Sequence, residues 1–175
     1  MESTLKNIVL VGPMGSGKTT VGRRLAYELD QKFFDTDHEI IDKTGVTIDH
    51  IFDIEGETGF RQRESKILEN LCQMSNIILA TGGGIVILPK NREILKNAGM
   101  VVYLFSTVDQ LLRRTAKSKT RPLLENSTNR RKTITDLLEA RDEYYREVAS
   151  VVIDTTGKEL YEVVNIIIRE TENVD

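Results

Sequence analysis

The chain has 175 residues, 39% of them hydrophobic and 29% charged, which is enough for one domain with a single core over residues 1–175. Its formal net charge of −3 gives no electrostatic footprint for nucleic acid, and no apolar run approaches the roughly 18 residues that a membrane span requires. The N-terminal residues carry no signal-peptide pattern and the single cysteine, Cys72, cannot form an internal disulfide, so we expect a soluble, cytoplasmic protein without nucleic-acid or membrane partners.

Short apolar runs alternate with helical patterns along the chain. The strand-like runs are Leu5–Val11, Lys32–Asp35, Asn76–Ala80, Met100–Phe105 and Val151–Ile153. The helical patterns cover Thr20–Leu29, Ile67–Cys72, Arg92–Lys96, Val108–Thr115, Ile134–Tyr145 and Leu160–Ile168. This alternation predicts an α/β domain with about five parallel strands, covered by helices on both faces. No repeat or linker indicates a second domain.

A glycine-rich loop follows the first strand-like run. Residues 12–19 read Gly-Pro-Met-Gly-Ser-Gly-Lys-Thr and fit the pattern G-x-x-x-x-G-K-[ST]. Its glycines let the loop curl with N–H groups turned inward around an anion, and the following helix adds its positive N-terminal end. Lys18 would reach the outer phosphates, and Thr19 would offer its hydroxyl to a magnesium ion. The alternative is a plain turn before a helix, but the flanking strand and amphipathic helix favour binding of a nucleoside triphosphate.

Two carboxylates, Asp35 and Asp37, end the second strand-like run. Residues two apart on a strand share a face, so both should point to the carboxyl end of the sheet, where open α/β folds bind ligands. Carboxylates at that position can coordinate magnesium or orient a hydroxyl group. The alternative is a polar strand end in which Asp37 serves only as a helix N-cap.

Charged residues also interrupt two helical apolar stripes. Arg61 and Glu64 lie on a helix that opens at Phe60, on the same face as Leu68. Arg141 lies in a helix predicted over residues 133–148 and interrupts its apolar stripe. Because an unpaired buried charge is costly, such residues indicate a buried partner or a bound anion. The alternatives are an ordinary surface Arg–Glu pair, and an arginine that extends its charged end to solvent.

Three further segments draw attention. Gly82–Gly84 follow a strand-like run and would let backbone N–H groups approach a ligand, unless they form only a flexible turn. Residues 117–129 are polar, contain Arg121 and have the length of a lid whose arginine closes over a transferring phosphate; the alternative is a solvated loop cation. Residues 42–57 are rich in turn formers and short helical pieces and are also expected to be mobile.

The phosphate loop, Asp-Thr-Asp, Phe-Arg-x-x-Glu, Thr-Gly-Gly-Gly, Arg-Pro-Leu-Leu and the arginine of the following helix together resemble the shikimate kinases over nearly the full chain. The phosphate loop alone occurs in many NTPases, whereas the six motifs in this order are specific. The resemblance implies a three-layer α/β/α P-loop NTPase fold of the nucleoside-monophosphate-kinase type, with five parallel strands in the order 2-3-1-4-5 and a lid. It implies a monomer that uses ATP and Mg²⁺ to phosphorylate the 3-hydroxyl of shikimate, on the route to chorismate and the aromatic amino acids.

The resemblance also implies a role for each matching position. Lys18, Asp37 and Arg121 would be catalytic, with Asp37 holding the accepting hydroxyl and able to take its proton. The implied ATP site comprises Gly15, Ser16, Gly17, Lys18, Thr19, Thr20, Arg114, Arg121 and Lys158. The implied shikimate site, centred on residues 37–64, comprises Asp37, Phe52, Phe60, Arg61, Glu64, Gly82, Gly83, Gly84 and Arg141. Magnesium would be held by Thr19 and, through water, by Asp35.

Three other functions fit parts of the pattern. A kinase of the same fold could act on gluconate or on a nucleoside monophosphate; gluconate, with its carboxylate and hydroxyls, is harder to exclude, because a nucleotide base would need its own pocket. A GTP-dependent switch would need a guanine-reading Asn-Lys-x-Asp, which the sequence lacks. A catalytically inactive binding module is disfavoured because Lys18, Thr19, Asp37 and Arg121 are all present.

Overall fold

Five short parallel strands form the centre of the structure, a computed structural model that describes residues 6–116 and 129–173. The strands are β1 Ile8–Val11, β2 Lys32–Asp35, β3 Ile77–Ala80, β4 Met100–Phe105 and β5 Val151–Asp154. They lie in the order β2-β3-β1-β4-β5, and every neighbouring pair is parallel. Both the α/β class and the strand order 2-3-1-4-5 are therefore confirmed.

The central strand β1 shows why the apolar runs are continuous. Ile8 of β1 lies opposite Ile78 of β3 and Met100 of β4, so β1 is paired on both edges. Alternate residues point to opposite faces, with Val9 in one apolar cluster and Leu10 in the other. Because both faces are covered, all four residues of β1 are buried. Each such side chain stabilises the fold by about 1.5–3 kcal/mol.

Helices form the outer layers on the two faces of the sheet. In the described parts of the chain they are α1 Lys18–Leu29, α2 Thr36–Thr44, α3 Ile48–Cys72, α4 Pro89–Lys96, α5 Val108–Thr115, α6 Arg130–Val148 and α7 Leu160–Glu172. Leu25 of α1 and Val163 of α7 pack in the cluster on one face. Leu68 of α3, Leu95 of α4 and Tyr145 of α6 pack in the cluster on the other. The result is the predicted α/β/α arrangement.

Residues 42–57, predicted to combine turn formers with short helical pieces, lie mostly in α2 and α3. The turn formers mark the junction between the two helices. Gly45 ends α2 in a left-handed conformation, with φ 72°, and the Thr47 side chain accepts the N–H of His50 to cap α3. Ile51 then anchors the start of α3 in the core.

Helix α3 also begins earlier than predicted, at Ile48 rather than at Phe60. Its path is kinked at Gly56, where φ 70° and ψ −176° are not helical. An ion pair between Glu55 and Arg63 joins the two sides of the kink, with the closest nitrogen and oxygen 2.6 Å apart. Helix α2 packs against α3.

Residues 117–128, which include Arg121 and nearly all of the predicted lid, lie outside the described residues. In the parts of the chain that are described, no helix is both long enough and apolar enough to cross a membrane.

The junction that leads into β4 provides a test of the fold. Gly99 has φ 138°, and an added Cβ would lie 2.3 Å from the Asn7 carbonyl oxygen. We expect Gly99→Ala to lower the free energy of unfolding by about 3 kcal/mol, because backbone strain and overpacking add. In the matched variant Gly45→Ala, φ is 72° but no atom lies within 4 Å of the added Cβ, so strain alone should cost about 1 kcal/mol. Urea unfolding measures both losses, and equal losses would contradict this interpretation.

Candidate active site

One cleft of about 790 Å³ opens where the carboxyl ends of the parallel strands meet the loops that follow them. All predicted site residues within the described chain line it: Gly15, Ser16, Gly17, Lys18, Thr19, Thr20, Asp35, Asp37, Phe52, Phe60, Arg61, Glu64, Gly82, Gly83, Gly84, Arg114, Arg141 and Lys158. The remaining predicted residue, Arg121, lies outside the described residues. Residues spread over most of the sequence therefore meet at one concave surface.

The loop between β1 and α1 has the conformation that its glycines predict. Gly12, Gly15 and Gly17 all have positive φ, of 149°, 82° and 94°. The loop curls around the ammonium group of Lys18, which donates to the carbonyl oxygens of Gly12 and Pro13, each at 2.8 Å. The ammonium group thus lies inside a ring of backbone at the positive end of α1, where an anion would be stabilised.

Arg114 forms the neighbouring wall of the cleft. Its guanidinium donates to the Gly15 carbonyl at 3.3 Å and to the Ser106 hydroxyl at 3.4 Å. Partial burial, with a smaller contribution from the charge of Arg113, lowers the pKa of Arg114. Beyond it, Lys158 donates to the Asp154 carbonyl at 2.8 Å. The wall therefore presents cations beside the glycine loop.

Asp35 links the two sides of the cleft. Its Oδ2 accepts the Thr19 hydroxyl at 2.8 Å, while its Oδ1 accepts the N–H groups of Asp37 at 2.9 Å and His38 at 3.3 Å. The helix cap is therefore Asp35 and not Asp37, and Asp37 lies in the first turn of α2 rather than on a strand. The expected sharing of a strand face is wrong, although both carboxylates do line the cleft.

The carboxyl group of Asp37 lies in an unusual electrostatic environment. Burial raises its pKa most, and the negative charge of Asp35 raises it further. The charges of Lys18, His38 and Arg61 oppose that shift. The result is a carboxyl group that holds its proton more strongly than an exposed aspartic acid and lies between the glycine loop and α3.

Arg61 and Glu64 form an ion pair within the protein rather than on its surface. The Arg61 Nη1 and Glu64 Oε1 atoms are 2.8 Å apart, and the two residues are only 7% and 0% exposed. Glu57 adds a longer contact of 3.4 Å to Arg61. Burial raises the pKa of Glu64, and the positive charge of Arg61 opposes that shift. The second Glu64 oxygen, Oε2, is buried without a hydrogen-bond partner, so the pair retains capacity to bind a ligand or water.

The glycine run after β3 packs directly against these charges. An added Cβ on Gly82 would lie 2.8 Å from Glu64 Oε2 and 3.1 Å from Asp37 Oδ1. An added Cβ on Gly84 would lie 2.4 Å from the Arg61 guanidinium. The glycine run therefore packs against the charged groups, and the Gly82 N–H donates a hydrogen bond to the Thr36 hydroxyl at 2.9 Å. The run is therefore not the flexible turn that was the alternative.

Arg141 approaches the same glycine run from α6. The residue is only 7% exposed, so its cation lies within the protein and does not extend to solvent. Its Nη1 lies 3.7 Å from the position that a Cβ on Gly83 would occupy. Arg141 and Arg61 therefore bracket the glycine run at one end of the cleft, and two buried guanidinium groups there suit a planar anion such as a carboxylate.

Several residues that hold the site together were not predicted. Thr36 is fully buried beneath Gly82, Tyr145 donates its hydroxyl to the Gly83 carbonyl, and Thr81 donates to the Leu10 carbonyl. Thr155 lines the cleft near Lys158. A weak signal exists for one of these, because Tyr145 lies one helical turn after Arg141 and shares its face. The threonines carry no comparable pattern.

A phosphate-type loop, a capping aspartate and two buried arginines on a 2-3-1-4-5 parallel sheet define a P-loop kinase with a small anionic acceptor. Comparison with known proteins specifies the family. The sequence model of shikimate kinase matches residues 14–172, and the chain belongs to the shikimate kinase family.

Related sequences and structures agree with this assignment. A shikimate kinase from Psychrobacter sp. (strain PRwf-1) is 50% identical over 155 residues, covering 89% of this chain and 86% of its own length. A shikimate kinase from Nitrosococcus oceani is 51% identical over 164 residues, covering 94% and 86%. The structure of Acinetobacter baumannii shikimate kinase in complex with shikimate superposes with a TM-score of 0.95, at 48% identity, covering 98% of this chain and 96% of that one.

A gluconokinase from Sinorhizobium meliloti also superposes, but with a TM-score of 0.60 at 22% identity, covering 98% of this chain and 96% of that one. At that level of identity the likeness concerns the fold alone.

The environment of Asp37 makes a prediction about stability. Its pKa is raised above 3.8 in the folded chain, so the unfolded chain loses this proton first as the pH rises. The free energy of unfolding contributed by this group therefore falls as the pH rises from 3.8 to the folded-state pKa. We expect Asp37→Asn, which cannot ionise, to be more stable than the natural chain at pH 7 by roughly 0.5–2 kcal/mol.

Urea unfolding at pH 7 and at pH 3.5 measures this difference, which should largely disappear at the lower pH. Asp42→Asn, at an exposed position on the same helix, is the control and should change stability by less than about 0.5 kcal/mol. An Asp37→Asn variant that is less stable than the natural chain at pH 7 would show that the carboxylate stabilises the fold.

Proposed function

We propose that this chain transfers the γ-phosphoryl group of ATP to the 3-hydroxyl of shikimate, on the route to chorismate and the aromatic amino acids. The observation that carries the proposal is the acceptor end of the cleft, where Arg61 and Arg141 bracket the glycine run. The related structure from Acinetobacter baumannii, at 48% identity, contains shikimate. Shikimate carries one carboxylate and three hydroxyls, which matches two buried guanidinium groups beside carboxylates and backbone amides.

The phosphate loop provides the donor side. Lys18 and the loop amides around Gly15 and Gly17 would bind the β- and γ-phosphates, and Thr20 continues this surface at the start of α1. An incoming phosphate would compete with the loop carbonyls for the Lys18 ammonium. Arg114 and Lys158 line the outer part of the cleft, where we assign the rest of the nucleotide.

Thr19 and Asp35 fit a magnesium ion. Magnesium prefers hard oxygen ligands and keeps several of its waters when bound with phosphates, so it needs few protein ligands. The Thr19 hydroxyl and Asp35 Oδ2 supply two oxygens that already contact each other at 2.8 Å. Within residues 6–116 and 129–173 no group of three or more His, Cys, Asp and Glu side chains could hold a metal by itself, which agrees with a site completed by phosphate and water. When bound, magnesium would neutralise charge on the transferring phosphoryl group.

Arg61 and Arg141 would bind the shikimate carboxylate, and Glu64 would hold Arg61 in place through their 2.8 Å contact. The backbone of Gly82–Gly84 would contact the ring hydroxyls, because the lack of side chains brings the main chain to the cleft surface. Phe52 and Phe60, whose ring centroids are 4.8 Å apart, would pack beside the carbon ring. Binding at the far end of the acceptor thus fixes the reacting hydroxyl.

Asp37 would align the reacting hydroxyl and accept its proton. A carboxyl with a raised pKa is a stronger base than an exposed aspartate, and its ionised form can take a proton from an alcohol as the oxygen attacks phosphorus. The positive charges of Lys18 and Arg61 favour that ionised form. Arg121, in the lid predicted over residues 117–129, would contact the ATP phosphates and neutralise developing charge.

The proposal is tested by coupling ADP release to a spectroscopic signal with ATP and magnesium. The acceptors to compare are shikimate, gluconate, AMP, CMP and none. We expect ADP only with shikimate, and Asp37→Asn in the same assay controls for contaminating kinases because it should abolish that signal while still binding a fluorescent ATP analogue. ADP formation with gluconate and not with shikimate would overturn the acceptor assignment.

Arg141 is the residue whose removal should separate acceptor binding from nucleotide binding. We expect Arg141→Ala to weaken shikimate binding by about 2–5 kcal/mol, the cost of removing one partner of a buried charged contact, with the KM for ATP almost unchanged. Arg131→Ala is the matched control, because Arg131 lies on the same helix but pairs with Asp109 at the surface. Steady-state kinetics measure both, and an unchanged shikimate KM in Arg141→Ala would remove this residue from the acceptor site.

A further inference from the structure

Tyr145 connects helix α6 to the glycine run at the acceptor end of the cleft. Its side chain is completely buried, and its hydroxyl donates a hydrogen bond to the carbonyl oxygen of Gly83. The two residues are 62 positions apart in the sequence. A buried hydroxyl with one well-defined backbone partner fixes that partner's orientation, since breaking the bond would leave a buried carbonyl unpaired.

The ring of Tyr145 is itself held by a second tyrosine. Its centroid lies 5.0 Å from that of Tyr103 on β4. The Tyr103 hydroxyl donates to Asp142 at 2.7 Å, and Arg146 donates to the other oxygen of Asp142 at 2.8 Å. The phenol of Tyr145 is therefore held by contacts with both the sheet and α6. Its hydrogen bond fixes the glycine run relative to these two elements.

Gly83 is the member of the run for which this contact is most important. The N–H of Gly82 is held by Thr36, and the Cα of Gly84 packs on the Arg61 guanidinium. Gly83 lies between them and has the conformational freedom of a residue without a side chain. Its peptide bond to Gly84 is trans, as are all peptide bonds of the described chain, so the C=O and the following N–H point in opposite directions. Fixing the carbonyl of Gly83 thus fixes where the N–H of Gly84 points.

The arginine on the other side of the run lies near Tyr145. Arg141 precedes Tyr145 by one helical turn, and its Nη1 lies 3.7 Å from the position that a Cβ on Gly83 would occupy. Burial raises the pKa of the Tyr145 hydroxyl, and the positive charge of Arg141 opposes that rise. The phenol therefore holds a peptide that lies directly beside this cation.

We propose that Tyr145 is a positioning residue for the acceptor, which holds the Gly83 peptide beside the Arg141 guanidinium in the geometry that the acceptor requires. It acts through that peptide and not by contact with the reacting atoms. The proposal rests on the function proposed above.

The kinetic test uses Tyr145→Phe, which removes one oxygen and keeps the ring. We expect the KM for shikimate to rise roughly tenfold, because one buried hydrogen-bonding group is lost, and the KM for ATP to change less than about twofold. The control is Tyr144→Phe, the adjacent residue, whose ring instead lies 4.2 Å from the Arg92 guanidinium carbon and should leave both constants unchanged. A purely structural role would lower the melting temperature and the active fraction and leave both KM values unchanged, and that result would overturn the proposal.

A second measurement observes the glycine run directly and does not depend on activity. Gly-Gly steps occur in this sequence only at 82–83 and 83–84. Glycine labelled with ¹³C at the carbonyl and with ¹⁵N therefore yields two carbonyl-to-amide NMR correlations, which report the Gly82 and Gly83 carbonyls. We expect the Gly83 carbonyl signal to move in Tyr145→Phe and to stay in place in Tyr144→Phe. An unmoved signal would overturn the proposal.

If Tyr145→Phe does not fold, the natural chain labelled with 3-fluorotyrosine replaces it, because fluorine makes the phenol a stronger donor without removing it. The Gly83 carbonyl signal should then shift, and a signal at its original position would overturn the proposal. The two proposals fail differently. A natural chain that ignores shikimate overturns the function proposed above, whereas a chain that uses shikimate but shows no KM change in Tyr145→Phe overturns only the role of Tyr145.

Discussion

The ion pair between Arg61 and Glu64 is the interaction on which the rest of the proposed acceptor site depends. Removing two charges from water costs several kcal/mol for each ion, and the fold recovers this only through close contact and further polar neighbours. Helix α3 supplies both partners from adjacent turns, and the sheet supplies a glycine run that can pack against them. The free Glu64 oxygen shows that the compensation is incomplete in the protein alone. A ligand hydroxyl or a water molecule that donates to this oxygen would complete the compensation.

The donor and acceptor halves of the cleft are connected through one carboxylate. Asp35 caps α2 with one oxygen and accepts the Thr19 hydroxyl with the other. Helix α2 carries Asp37, and α1 begins at the phosphate loop. A displacement of either helix would therefore stretch a hydrogen bond to Asp35. This arrangement links Asp37, the base proposed above, to the phosphate-binding loop, as an in-line transfer between two bound substrates requires.

Local patterns predicted most of the fold, whereas contacts between distant residues escaped prediction. The five strands and the phosphate loop follow from apolar runs and glycine spacing, which are properties of neighbouring residues. The short helical pieces expected within residues 42–57 belong to the end of α2 and the start of α3, and the turn formers there, such as Gly45, mark the junction between these helices. The alternative in which Asp37 caps the helix is wrong because β2 ends at Asp35 and α2 begins at the next residue, so that Asp35 is the cap. The bond from Tyr145 to Gly83 joins residues 62 positions apart, and no short-range signal encodes it.

The close packing of Gly82 and Gly84 has a consequence for resistance to inhibitors. Any side chain added at these positions would meet Glu64, Asp37 or Arg61 at 2.4–3.1 Å. An organism under selection by a competitive inhibitor that contacts this backbone has therefore few escape substitutions, because those that displace the inhibitor also displace the charges proposed to bind the acceptor. A substitution changes the side chain of a residue and leaves its main-chain hydrogen-bonding groups in place. An inhibitor that hydrogen-bonds to this glycine run would accordingly be harder to evade than one that contacts the exposed rim of the cleft.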